Sequence, residues 1–127
     1  MFAGAVKSFE DLEAWKTARE IKMEIYLIAN KLPEQEKYNL ASQMRKAAIS
    51  VTANIAEGYG RYHYQENIQF LRIARGSLYE LKDHLISCLD FNYIKQNTFK
   101  RLESIILSDI RLIDGMIRHI KNKMEKM

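Results

Sequence analysis

The side chains of this 127-residue chain best suited to hold a metal or attack a carbon centre are three histidines and one cysteine, and their spacing favours neither chemistry. Metal sites in helical bundles combine carboxylates with Glu-x-x-His pairs on facing helices. His63, His84 and His119 lie on separate stretches, and the best local pairing, Glu80 with His84, has no second copy. No metal and no cofactor is therefore expected. Cys88 falls on the apolar side of a predicted helix, where a thiol reads as a small buried hydrophobe rather than a reactive nucleophile. Ser42, Ser50 and Ser77 sit in no nucleophile motif, and Gly58-x-Gly60 alone is too little to make a phosphate loop. No catalytic residue is predicted, and the chain reads as a non-enzyme.

Charge placement carries more information. Residues 1–94 hold twelve Lys or Arg against twelve Asp or Glu, whereas residues 95–127 hold eight against four, which accounts for the whole net charge of +4. Lys100, Arg101, Arg111, Arg118, Lys121 and Lys123, with His119, are the candidate phosphate contacts for RNA or DNA. The competing reading makes them a solvated face on a helix whose C-terminus favours cations. A second constellation, Arg45, Asn54, Glu57, Arg72, Arg75 and Glu80, mixes both signs and is read as a structural polar network rather than an anion site.

Helices must position these groups. Hydrophobic residues make up 47% of the chain, charged residues 28%, and there are five glycines and one proline, a composition that excludes disordered and fibrous classes. Leu12, Trp15, Ala18, Ile21, Ile25, Ile28 and Leu32 follow one another at helical steps. Ser8 with Asp11 resembles a capping box, and Pro33 disfavours helix at the residue before it, so helix one is expected over about residues 10–31. Trp15, in register with aliphatics, reads as core rather than as a stacking platform for a base.

Helix two is expected over about 37–57, with Leu40, Met44, Ala47, Val51 and Ile55 as its core face. Ala41, Ala48, Ala53 and Ala56 would let a neighbour approach closely, and Gly58 is the expected left-handed C-cap. Helix three, about 64–89, has the cleanest seam: Tyr64, Leu71, Ala74, Leu78, Leu81, Leu85 and Cys88, with Gly76 marking a close contact or slight bend. Helix four, about 96–123, carries Phe99, Leu102, Ile106, Ile113, Met116 and Ile120, widened by Ile105, Ile110, Leu112 and Ile117. A stripe that broad implies more than one neighbour, which suggests an oligomer contact along helices one and four. Short connections make the economical architecture a single all-α domain, an antiparallel up-down-up-down four-helix bundle. The start of the chain is unlike a signal peptide, no apolar run is long enough for a bilayer, and one cysteine fits a reducing compartment, so a cytoplasmic protein with no membrane partner is expected.

Several blocks resemble one family. They are Phe9-Glu10-Asp11-Leu12-Glu13-Ala14-Trp15, the turn Leu32-Pro33-Glu34-Gln35-Glu36 with Tyr38-Asn39-Leu40, the stretch Gln43-Met44-Arg45-Lys46-Ala47-Ala48-Ile49-Ser50-Val51, the block Asn54-Ile55-Ala56-Glu57-Gly58, and Phe70-Leu71-Arg72-Ile73-Ala74-Arg75-Gly76-Ser77 with Glu80-Leu81. Together they resemble the bacterial four-helix-bundle proteins encoded in intervening sequences of 23S ribosomal RNA genes. Thr52, where the family often has Pro, and His63, where Ser is common, are small departures. The resemblance implies a ring-like homopentamer without established catalytic activity. The chain is also similar to accessory variability proteins of diversity-generating retroelements, which implies nucleic acid and a reverse transcriptase as partners. Two functions are carried forward: a nucleic-acid-binding bundle using helix four, and a structural or protein-interaction scaffold.

Overall fold

The computed structural model describes residues 6–127, and helices α1 (Glu13–Lys31), α2 (Leu40–Tyr59), α3 (Tyr64–Asp90) and α4 (Gln96–Glu125) account for most of them. Each helix packs on its neighbours in sequence, and α1 closes the ring against α4. Cross-links fix the antiparallel order. Arg45 of α2 donates to Asn30 of α1 at 2.7 Å, Cys88 late in α3 meets Met44 early in α2, and Lys82 of α3 pairs with Glu103 of α4 at 3.6 Å. The expected up-down-up-down bundle is the observed one.

The seams lie where the periodicity places them. Ile21, Ile25, Met44, Ile55, Leu71, Leu78, Leu81, Leu85, Leu102, Ile106 and Ile113 are the large, fully enclosed side chains, each contributing roughly 1.5–3 kcal/mol of hydrophobic stabilisation. Trp15 packs half-buried against this core, with Phe9 edge-on at 5.2 Å and the Arg19 guanidinium 5.7 Å from its ring. Cys88 is enclosed and burial pushes its thiol up to about 11, as a small core hydrophobe should be. The broad stripe of α4 finds its two neighbours inside the bundle: Ile110 and Ile117 are buried, and Ile105, Leu112 and Met116 pack half-buried against the core.

Several expectations need correction at the helix ends. Ser8 and Asp11 do bond reciprocally with the backbone, but they hold a 3-10 turn over Phe9–Asp11, and extended Leu12 separates that turn from α1. Helix two starts at Leu40 rather than near 37, because Glu34–Glu36 forms another 3-10 turn. The Glu36 carboxylate accepts from Tyr93 Oη at 2.7 Å and from Asn39 Nδ2 at 3.1 Å, which ties the α1–α2 connection to the α3–α4 connection.

The glycines also differ from expectation. Gly58 is buried inside α2, and the C-cap is Gly60 with a right-handed φ of −78°. A Cβ on Gly58 would lie 2.9 Å from Asn67 Oδ1, 3.0 Å from Phe70 Cβ and 3.2 Å from the Asn67 carbonyl oxygen, so its role is close approach to α3. The left-handed residue is Asn92, with φ 62°. It follows α3 in a Schellman motif: the Asn92 amide donates to the Leu89 carbonyl at 3.1 Å and the Tyr93 amide to the Cys88 carbonyl at 2.8 Å. Gly76 is exposed with open space where a Cβ would be, so it marks no close contact within the bundle. Ala53 and Tyr64 likewise face solvent more than the seams would have them.

Candidate nucleic-acid interface

Lys100, Arg111 and Arg118 recur at intervals of eleven and seven residues, which return to one side of an α-helix. All three are exposed on the outward side of α4. Arg111 and Arg118 are separated by about 10 Å along the axis at the standard rise. Lys121 turns toward α3, where it lines a cleft of about 300 Å³ with Gln65, Ile68, Gln69, Arg72 and Met124. Among the described residues, no carboxylate forms an ion pair with Lys100, Arg111, Arg118, Lys121 or Arg72.

Two of the six cations expected on this surface stand apart from it. Arg101 turns toward α1, where both terminal guanidinium nitrogens donate to the Glu24 carboxylate, and that contact raises its pKa. Its charge is already engaged. Lys123 is exposed but lies two residues beyond Lys121, and two residues correspond to about 200° around a helix, so it projects to the other side.

The mixed-charge constellation resolves into separate contacts instead of one network. Arg45 bonds Asn30 and lies 5.8 Å from the Tyr26 ring. Asn54 donates to the Ser50 carbonyl at 2.8 Å and to Ser50 Oγ at 3.0 Å, and Ser77 Oγ donates to Ser50 Oγ at 2.8 Å, which links α2 to α3. Glu57 pairs with Arg61 at 3.1 Å, Arg75 pairs with Asp114 of α4 at 2.6 Å, and Glu80 pairs with His84 at 3.0 Å within α3. Arg72 is the member left outside these contacts. The antiparallel register brings it, early in α3, beside Lys121, late in α4.

Asp109 was hidden in the sequence by its position within an apolar stripe. It is fully buried in α4, and neither carboxylate oxygen has a hydrogen-bond partner. Burial pushes its carboxyl up to about 8, so it contributes little negative charge near pH 7 and the basic excess of this helix is larger than the formal count. A second feature hidden in the sequence is aromatic. Tyr62 is 92% exposed beside His63, and His63, Tyr64, Gln65, Met124 and Met127 line a recess of about 320 Å³ adjoining the Lys121 cleft. The tyrosine-rich run Tyr59-x-x-Tyr62-x-Tyr64, interleaved with Arg61 and His63, was the available signal. The larger cleft at the other end of the bundle, about 710 Å³, is lined by residues including Ile28, Leu32, Leu89 and Tyr93, with Lys31 and Lys95 among them.

Among the described residues, no three His, Cys, Asp or Glu side chains group to hold a metal ion, and no helix is long and apolar enough to cross a membrane. Residues 10–115 match the family model of the 23S rRNA-intervening sequence protein. The fold is similar to the crystal structure of a protein of unknown function from the S23 ribosomal protein family of Bacteroides thetaiotaomicron VPI-5482. That structure is 19% identical, covers 83% of this chain and 95% of its own, and superposes with a TM-score of 0.76. None of the curated proteins matches the chain.

Proposed function

The chain belongs to the 23S rRNA-intervening sequence protein family, and from that footing we propose that it is a non-enzymatic protein that binds nucleic acid through the outer face of α4 and the adjoining edge of α3. The observation that carries this reading is the set of cations without carboxylate partners, Lys100, Arg111, Arg118 and Lys121, joined across the helix boundary by Arg72. Surface cations left unpaired remain available to phosphates, and displacement of counterions from the nucleic acid supplies the binding free energy. Self-association into a homo-oligomer would repeat the patch, and linked copies bind more tightly than one. The enclosed, unpaired Cys88 suits a reducing cytoplasm, where this reading places the protein.

Fluorescence anisotropy against structured RNA, single-stranded DNA and duplex DNA over a range of salt tests it. Contacts from these five cations per copy predict a logarithmic salt slope of about −4 to −5 on duplex. Affinity independent of salt, or no binding at low salt, would overturn the proposal.

A second reading is favoured by α1, where Met23 and Leu27, one turn apart, are 62% and 58% exposed. Side chains of that kind suit a self-assembly or protein-partner surface, a reverse transcriptase included, which would make the molecule a scaffold.

A further inference from the structure

The α2–α3 connection presents several aromatic rings at one end of the bundle, beside the cationic cleft. Tyr62 is 92% exposed with His63 edge-on to it at 5.2 Å, and Tyr64 opens α3 at 37% exposure. The recess lined by Tyr64 and His63 adjoins the cleft lined by Arg72 and Lys121, and Gln65 and Met124 line both. Arg72 lies about 12 Å along α3 from Tyr64 at the standard rise. Arg61, although close to these rings, is engaged by Glu57 and Glu66 and lies 4.8 Å from the Phe70 ring, so the cations available to a ligand are those of the cleft.

We infer that this bundle end is a binding site for unpaired nucleotides, with bases stacking on Tyr62 and Tyr64 and the connecting phosphates meeting Arg72 and Lys121. The inference rests on the nucleic-acid reading above and narrows it to single strands. An exposed ring can stack on the face of any base, and it gains that contact only where the base is free of its own duplex neighbours. A basic groove alone would bind duplex and single strand alike. Gln65 and Gln69 add carboxamides, which donate to phosphate or base oxygens and accept from base amino groups. Ile68 and Met124 supply the apolar wall against which a base or sugar can lie.

The test uses three labelled probes of about twelve nucleotides: oligo-U RNA, oligo-dT DNA, and a blunt RNA duplex, each titrated with the wild-type chain, Y62A/Y64A and Y62F/Y64F. Removing both rings, each stacking one base, should weaken oligo-U and oligo-dT binding by about 30-fold or more, leave the duplex within about twofold, and be reversed by the phenylalanine pair, since Phe keeps the stacking face. The ratio of the RNA to the DNA effect reports which sugar the site prefers. Wild-type binding that Y62A/Y64A leaves unchanged, or weakens equally for single strand and duplex, overturns the stacking site while leaving the basic face intact. A wild-type protein that binds no probe at low salt overturns both proposals together.

Discussion

Asp109 is the residue whose chemistry departs furthest from its surroundings: a carboxyl fully enclosed in α4, with both oxygens unpaired. Its pKa is raised by burial from an ordinary value near 3.8 to about 8 in the folded state. Asp109 therefore holds its proton in the folded chain and not in the unfolded chain between those values, and its contribution to stability falls as pH rises through that window. The contribution is fully present below the unfolded pKa and lost above the folded one. Urea midpoints at pH 5, 7 and 9 should fall more steeply for the wild type than for Asp109→Asn, which cannot titrate; parallel curves would show that Asp109 has found a partner. The glycines offer a second contrast. Gly76→Ala adds a methyl into open space and removes backbone freedom from the unfolded chain, so it should stabilise by about 1 kcal/mol. Gly58→Ala forces a Cβ against the Asn67 backbone oxygen at 3.2 Å and should destabilise by about 1–3 kcal/mol in the same urea titration.

Among the elements, α4 separates cations that engage a partner from cations that face solvent. Arg101→Ala breaks a contact with Glu24 and should leave nucleic-acid affinity within about twofold, whereas Arg118→Ala removes a free charge and should reduce the salt slope by about one. Anisotropy at several salt concentrations reads both; equal losses would mean that the Glu24 pair opens on binding. This sorting was not legible in the sequence, since Arg101 and Arg118 look alike until the antiparallel register places Glu24 opposite one of them. The seams of α2, α3 and α4 were legible because steps of three and four record burial directly, and residues such as Leu78 and Ile106 sit where that period puts them. The helix ends were less so. Ser8 and Asp11 carry a capping signature that a 3-10 turn satisfies as well as an α-helix, and Gly58 advertises a turn while serving close packing, because a missing Cβ suits both tasks. The left-handed residue, Asn92, follows α3, whereas the expected one was Gly58 at the end of helix two. Asp109 was invisible because periodicity reports which face a residue occupies, and nothing in the pattern says that its carboxylate lacks a partner.

For the whole molecule, the proposed nucleic-acid binding would scale with how many copies present the basic face at once. On the proposed reading a single bundle with five such cations would gain only a modest phosphate affinity at physiological salt, whereas joined copies would raise avidity by about 10²- to 10⁴-fold without any new contact. The breadth of α4 does not by itself demand an oligomer, since Ile110 and Ile117 are buried within the bundle, where α4 packs on both α1 and α3. The large apolar side chains exposed on α1 are Met23 and Leu27, which lie on a different helix from Lys100, Arg111, Arg118 and Lys121. Assembly through α1 would thus leave those α4 cations outside the contact, so self-association and phosphate binding are compatible in one particle. The double substitution Met23→Glu/Leu27→Glu places two carboxylates where α1 would meet a second copy, and desolvating them there would be costly. Because both positions are exposed in the bundle, the fold itself should hold. Sedimentation should then show the wild type as an assembly and the variant as a monomer of 14.9 kDa, with the avidity for a long RNA lost while affinity for a short oligonucleotide that occupies one copy stays the same. A variant that still sediments as the wild-type assembly would move the self-contact off α1, and a wild type already monomeric at working concentration would leave α4 and α3 to bind nucleic acid one bundle at a time.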